Sequence, residues 1–302
     1  MANERWIITG GTGLVGKALS RDLVSAGHRV TILSRSSGEK KDGVEQVAWT
    51  PTKAGAWQEA LDGADVVVHL AGANVAEGRW TESRLAEIRE SRITSGKLIA
   101  EALAAAKKKP KIYVSASAIG YYGLHESGPT FDETSAAGQG TLASICVDWE
   151  ASANAARDAG IPVTHPRIGV VLAKNGGALE KMVPPFKAFV GGPIGSGKQW
   201  LSWVHLTDVV GSIRFAVDHA LAGPFNVVAP EPKTMDEFAG TLGRTLGRPS
   251  AVRAPAFAIK IAFGEMGDVV LKGQRVIPAK LEREGYAFRF PTLSGALENI
   301  LG

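Results

Sequence analysis

The sequence predicts an α/β fold: a parallel sheet with helices on both faces, followed by a smaller carboxyl-terminal cap. Three observations carry this. Short runs rich in β-branched residues alternate with helix-like stretches through the first half. Those runs are almost continuously apolar, as strands covered on both faces must be. The second half loses the alternation and is broken up by prolines 230, 232, 249, 255, 278 and 291.

Each element has a local reason. Trp6 to Thr9 is a run of strand formers that ends at glycines, and Leu14 to Ala26 has helical spacing and stops at Gly27. Arg29 to Leu33 and Asp65 to Leu70 are further strand-like runs. Glu82 to Ala106 reads as a long helix, Ile112 to Ser115 as a strand, Thr141 to Ala159 as one helix, and Pro162 to Arg167 as the strand closing the series. Beyond it come a helix from about Thr207 to Leu221, a strand at Phe225 to Val228, helices at Met235 to Leu246 and Pro255 to Phe263, and a tail ending in Leu297 to Leu301. This divides the chain into a larger unit over 1–172, completed by about 203–229, and a smaller one made of 173–202 and 230–302.

Composition narrows the function. Of 302 residues, 45% are hydrophobic and 21% charged, which excludes a disordered chain and allows a sizeable core. The net charge of +4 is too small and too dispersed to argue for nucleic acid. The one dense cluster, Lys107 to Lys109 with Lys111, follows an alanine-rich stretch and reads as a solvated helix end. The single cysteine, Cys146, excludes an intrachain disulfide and a cysteine-built zinc site, and it reads as a core residue. No signal-peptide pattern opens the chain and no apolar stretch approaches the roughly 18 residues of a membrane span, so a cytoplasmic protein is expected.

The strongest motif is Thr9-Gly10-Gly11-Thr12-Gly13-Leu14-Val15-Gly16. It sets Gly10, Gly13 and Gly16 directly after a strand and at the opening of a helix. Dinucleotide binding needs such glycines for a tight turn, for close approach of backbone to a pyrophosphate, and for helix–strand packing. The amides at the helix start then bind the anion. This makes the expected fold Rossmann-type. An NAD site usually places an acid about 20 residues later, on the ribose 2′-hydroxyl. Here no Asp or Glu lies between Val30 and Gly38, and Arg35 stands 19 residues after Gly16. An arginine there suits the 2′-phosphate of NADP, so NADP(H) is the expected cofactor. Leu70, Ala71 and Gly72 end the next run, small enough for a cofactor to lie on the backbone, while His69 within that run reads as structural.

The run Ile112 to Ser115 continues as Ala116-Ser117-Ala118-Ile119-Gly120-Tyr121-Tyr122-Gly123, with hydroxyls where substrate would lie. Together with HLAGA after residue 68, Asp148-Trp149-Glu150, Pro166-Arg167-Ile168, Gly176-Gly177-Ala178, GGPIGSGKQW at 191–200 and Gly273 to Pro278, these stretches resemble the extended short-chain dehydrogenase/reductase superfamily, of the NAD-dependent epimerase/dehydratase type. They resemble most closely its atypical "epimerase family protein" group, over essentially the whole chain. The resemblance implies that Ser117 is the serine that hydrogen-bonds the substrate oxygen, and that Glu87 and Arg92 touch the cofactor. Thr12, Leu14, Val15, Ser34, Ser115 and Pro166 complete the expected cofactor contacts.

One departure matters. The superfamily carries a Tyr-x-x-x-Lys pair as its acid–base machinery, and this sequence has none. Its tyrosines stand at 113, 121, 122 and 286, and the helix that should carry the pair reads Ile145-Cys146-Val147-Asp148-Trp149-Glu150. Tyr121 or Tyr122, beside Ser117, is the nearby phenol, although a phenol near pKa 10 is a poor base at neutral pH. Lys187, Gln199, Trp200 and His205 are expected on the substrate side, with His205 and Asp208 forming a helix-start pair. Gly192 to Lys198 imitates the start of a phosphate loop but continues with Gln199, and the six histidines lack metal spacing, so no metal is expected. The expected partner is a small-molecule substrate, with neither nucleic acid nor membrane; a homodimer stays open. The function expected is an NADP-dependent oxidoreductase or epimerase acting on a small hydroxyl or carbonyl compound. The alternative is an NADP-binding sensor without turnover.

Overall fold

The structure, a computed structural model, describes residues 3–36 and 38–302. Its strands are β1 (Arg5–Thr9), β2 (Arg29–Ser34), β3 (Gly38–Lys41), β4 (Val44–Ala48), β5 (Val66–His69), β6 (Ile112–Ser115), β7 (Ser117–Ala118), β8 (Thr130–Phe131), β9 (Val163–Ile168), β10 (Val170–Leu172), β11 (Trp200–Leu201), β12 (Trp203–His205), β13 (Gly223–Val227), β14 (Lys233–Thr234) and β15 (Arg275–Val276). Its α-helices are α1 (Leu14–Ser25), α2 (Glu82–Ala105), α3 (Thr141–Ala151), α4 (Asn154–Asp158), α5 (Leu179–Lys187), α6 (Leu206–Asp218), α7 (Met235–Leu246), α8 (Ala256–Phe263), α9 (Gly267–Leu271), α10 (Ala279–Arg283) and α11 (Leu293–Leu301).

The main sheet runs β13-β9-β6-β5-β1-β2-β4-β3, with β7 added beside β9. All its pairings are parallel except that of β3 with β4. The chain moves outward from β1 to β2 and returns to β5 on β1's other side, so a crevice opens at the carboxyl ends of the central strands. Register sharpens this. Leu33 lies opposite Thr9, Thr9 opposite His69, and His69 opposite Ser115. Four strands therefore release their loops at one level.

Alternating side chains of β1 feed two cores. Trp6 and Ile8 join Leu19 and Leu23 of α1 and Ile213 of α6 on one face. Ile7 joins Trp57, Ile99 and Leu103 of α2, and Ala156 of α4 on the other. A third cluster, with Phe186, Trp203, Phe238 and Leu297, holds α5, α7 and α11 together. The α7 helix is set by local signals: Thr234 and Glu237 form a capping box, and Gly247 ends the helix at φ 61°. No helix among the described residues is long and apolar enough to cross a membrane.

Three elements differ from the sequence expectation. The polar hairpin β3–β4 turns on Asp42 and Gly43, at φ 52° and 78°; both values are positive, as in the type I′ turns favoured by Asp-Gly. The expected helix 141–159 is two helices, because Ser152 turns its hydroxyl back to the Trp149 carbonyl (2.6 Å). There α2 approaches closely: a Cβ on Gly96 would lie 2.2 Å from Ser152 Oγ. Finally, the tail expected to end in Leu297 to Leu301 forms a helix, α11, over Leu293–Leu301.

Candidate functional site

The glycine loop leaves β1 and opens α1. Gly10 has φ +68°, and a Cβ there would meet Leu70 and Ala71 backbone at 2.8 Å. At Gly16 a Cβ would lie 2.3 Å from the Gly10 carbonyl oxygen. These two glycines are demanded by the fold. Gly13 is different: its φ of −79° and ψ of 177° suit any residue, and a Cβ there meets only Gly10 oxygen, at 3.3 Å. The space beside Gly13 is therefore open to solvent and to a ligand. The first turn of α1 carries no acid, and no side chain caps it. Its unpaired amides and the positive end of the helix dipole suit a pyrophosphate, so the loop fits a dinucleotide. Thr12 is exposed on the loop, and Val15 lines the adjoining cleft. Leu14 packs toward Gly176 and Gly177.

The neighbouring strand ends add to the groove. Arg35 stands exposed past β2. Ser34 donates to the Ser36 carbonyl (2.6 Å) and accepts from Gln46 Nε2 (2.5 Å). Beyond β5, the Ala71 amide donates to Thr9 Oγ1 (3.3 Å), which leaves Gly72 on the cleft. His69 is fully buried; its Nδ1 lies 2.6 Å from Thr9 Oγ1 and its Nε2 3.1 Å from Ser95 Oγ. Burial holds its pKa down at about 4, so the ring is neutral and ties β1, β5 and α2 together.

A cleft of about 670 Å³ runs from Val15 and Gly72 past Ser117 to Trp200 and the α9 segment. Ser117 lines it and donates to Glu150 Oε1 (2.7 Å). Arg167 clamps the same carboxylate, from Nε to Oε1 (2.8 Å) and from Nη2 to Oε2 (2.9 Å). Its Nη1 donates to Tyr122 Oη (3.1 Å), and Tyr122 donates to Asn226 Oδ1 (2.7 Å). Burial alone would lower the Arg167 pKa, but the Glu150 contacts outweigh it and raise the pKa. Cys146 stands four residues before Glu150 on α3 and also lines the cleft. Burial, with the Glu150 charge adding to it, pushes its thiol up to about 12, so Sγ keeps its proton at neutral pH.

Several expected site residues lie elsewhere. Neither Tyr121 nor Tyr122 lines the cleft. A 3-10 turn over Ile119–Tyr122 sets both rings against Arg167 rather than in the cleft. Tyr121 lies under the Arg167 guanidinium (3.4 Å), and Tyr122 is fully buried, with burial first among the causes that push its pKa up to about 12. Ser115 is buried inside the sheet, two residues short of the cleft. Pro166 stays within β9 opposite Phe225, and the cleft is lined instead by Ile168 to Val171. Lys187 is exposed at the end of α5, whereas Lys181, whose Nζ donates to the Ala76 carbonyl (2.9 Å), lines the cleft. Gln199 is a buried tie, with Nε2 on the carbonyls of Ile194 (2.9 Å) and Val270 (3.2 Å). His205 caps α6 through Nδ1, which accepts from Thr207 amide (3.0 Å), and its ring packs on Phe290. Asp208 likewise pins the Arg289 and Phe290 amides.

Other expected residues do come together. Trp200 lines the cleft. Arg92 does too, its guanidinium over the Trp149 ring (5.0 Å) and its Nη1 on the Ile88 carbonyl (2.9 Å). Burial lowers the pKa of Arg92, and no carboxylate salt bridge holds it among the described residues. Glu87, by contrast, does not line the cleft: it is exposed on α2 and paired with Arg84 (2.5 Å). No group of three or more His, Cys, Asp or Glu among the described residues is arranged to hold a metal ion.

Comparison with known proteins places this geometry. The model of the NAD dependent epimerase/dehydratase family matches residues 6–228. The chain belongs to this family. A second model, a domain of unknown function (DUF1731), matches residues 254–300 of this epimerase-family protein. An epimerase family protein of Mycobacterium tuberculosis is 39% identical over 299 residues, covering 98% of this chain and 97% of that one. The chloroplastic SDR39U1 homolog of Arabidopsis thaliana is 38% identical, covering 97% of this chain and 86% of its own. Among solved structures, human epimerase family protein SDR39U1 (isoform 2) with NADPH is 34% identical, with a TM-score of 0.88 and 98% of each chain covered. A UDP-N-acetylglucosamine 4-epimerase from Methanobrevibacter ruminantium, at 16% identity and a TM-score of 0.79, shares the fold.

In this epimerase-family protein, Gly13→Val is expected to remove NADPH binding while the protein stays folded, because the added side chain fills ligand space and little else. Fluorescence titration with NADPH, alongside a thermal melt, checks this. Normal binding by the folded variant would move the cofactor away from the loop.

Proposed function

We propose that this protein is an NADP-dependent oxidoreductase or epimerase-like enzyme acting on the hydroxyl or carbonyl group of a small molecule. The observation that carries the reading is Ser117, which lines the cleft beside the glycine loop with its proton directed at a carboxylate locked by Arg167. Gly10, Gly13, Gly16, Gly72 and Arg92 would hold the cofactor, with Arg35 on the 2′-phosphate. Bound NADP(H) accepts or donates a hydride. Ser117 holds the substrate oxygen. Its own hydrogen is committed to Glu150, so it accepts a hydrogen bond from a substrate hydroxyl and can pass a proton on to Glu150. Cys146 keeps a proton at Sγ on the same stretch of the cleft and can donate to that oxygen. Serine, thiol and carboxylate thus stand where the family's phenol and lysine are missing. The lone buried thiol suits a reducing compartment such as the cytoplasm.

The cofactor preference is tested through Arg35. The native protein should bind NADPH more tightly than NADH, and Arg35→Asp should weaken NADPH by about 1.5–3 kcal/mol, the worth of a charged hydrogen bond, plus repulsion. Calorimetric titration with both cofactors checks it; equal affinities in the native protein count against the assignment. The packing of both phenols against Arg167 rather than in the cleft favours a second reading, an NADP-binding sensor without turnover. Oxidation of bound NADPH by any carbonyl compound would decide for the enzyme.

A further inference from the structure

The cleft wall facing the glycine loop is built from Leu124, Leu142, Trp200, Met266, Val269 and Val270. Two polar side chains along this wall, Ser202 and Gln274, are buried and bonded within the protein. Ser202 Oγ donates to the Gln274 carbonyl (2.8 Å) and accepts from the Val276 amide (2.9 Å). Gln274 Nε2 donates to the Gly123 carbonyl (2.5 Å). Lys272 is drawn to Asp268 (3.6 Å), and Lys181 to the Ala76 carbonyl (2.9 Å). A ligand lying along this wall therefore meets hydrocarbon and indole. The same cleft carries Ser117 and Cys146.

We infer, resting on the reading of the cleft as an enzyme site, that the substrate is a predominantly apolar ketone, aldehyde or alcohol whose one polar group is the reacting oxygen. A sugar or sugar nucleotide carries hydroxyl and phosphate oxygens along its whole length. Stripped of water against the hydrocarbon and indole of this wall, most of them would lose hydrogen bonds that its few polar side chains cannot replace. An apolar body gains from the same burial.

The test is calorimetric titration of the NADPH-loaded full chain with 2-decalone, 4-phenyl-2-butanone and UDP-glucose. Both ketones should bind at least about tenfold more tightly than UDP-glucose, in line with the discrimination an apolar pocket achieves. Val269→Asp and the milder Met266→Gln should each weaken ketone binding severalfold and leave NADPH affinity unchanged. If Val269→Asp does not fold, Met266→Gln carries the comparison. Tighter binding of UDP-glucose, no ketone binding, or folded wall variants with undiminished ketone affinity would each overturn the inference. Failure of the underlying reading looks different: ketones bind as expected, but bound NADPH is never oxidised.

Discussion

Arg167→Ala is expected to cost the fold about 3–5 kcal/mol, the usual penalty for removing one partner of a buried ion pair. The Arg167 side chain is 3% exposed and that of Glu150 15%, so water cannot replace the lost guanidinium. The change also removes the group stacked on Tyr121 and one of the two partners of Tyr122 Oη. Arg167→Lys should recover only part of the loss, since an ammonium cannot make the two-pronged contact. Adding Glu150→Gln to Arg167→Ala should restore much of the stability, because no buried charge is then left alone. Urea unfolding of the three variants measures this. A loss below about 1 kcal/mol for Arg167→Ala would mean that the pair behaves as a surface salt bridge.

The second large effect falls on turnover. With a reacting ketone or alcohol in hand, Ser117→Ala should lower kcat by about 10²–10⁴-fold, the range of a lost acid–base group. NADPH affinity should barely change, because Ser117 is assigned to the substrate oxygen and not to the pyrophosphate. Glu150→Gln keeps the size of the side chain but removes the proton acceptor behind Ser117, and, at a cost in stability from the unpaired Arg167, it should lower kcat in the same way. Tyr121→Phe should be nearly silent in kcat, as that ring packs against Arg167 rather than in the cleft. A Ser117→Ala enzyme with full turnover, beside an inactive Cys146→Ala, would transfer the role to the thiol.

What could be read in advance was local. The glycine loop, the central strands and the place of Ser117 follow from residues adjacent in sequence, where turn chemistry and periodicity act directly. The hairpin at 38–48 is written in Asp42-Gly43, but its strands are short and lack an apolar rhythm, with Val44 and Val47 of β4 packing on opposite cores. Ser117, Glu150 and Arg167 meet only because β7 pairs with β9 and α3 packs beside them. The sequence shows Glu150 and Arg167 only within stretches that carry the family resemblance, and the four-residue step from Cys146 to Glu150 sets those two on one face of a helix. Tyr121 and Tyr122 were misplaced because a single 3-10 turn decides which way neighbouring side chains point. Gln199 and Lys187 were misplaced because cap contacts span long stretches: the Gln199 amide reaches Val270, 71 residues on.

The common level of Leu33, Thr9, His69 and Ser115, each within one residue of the end of its strand, divides the molecule into parts that evolution can and cannot edit. Inserting one residue into any of these strands would advance its loop by about 3.3 Å and turn its buried side chains to the opposite face. Insertions above that level meet no such bar. The loops after Gly72, after Gly120 and around α9 can lengthen or be exchanged while the rim beneath them keeps the cofactor groove in place. Such a scaffold can acquire new substrates by replacing one wall, without rebuilding its nucleotide seat.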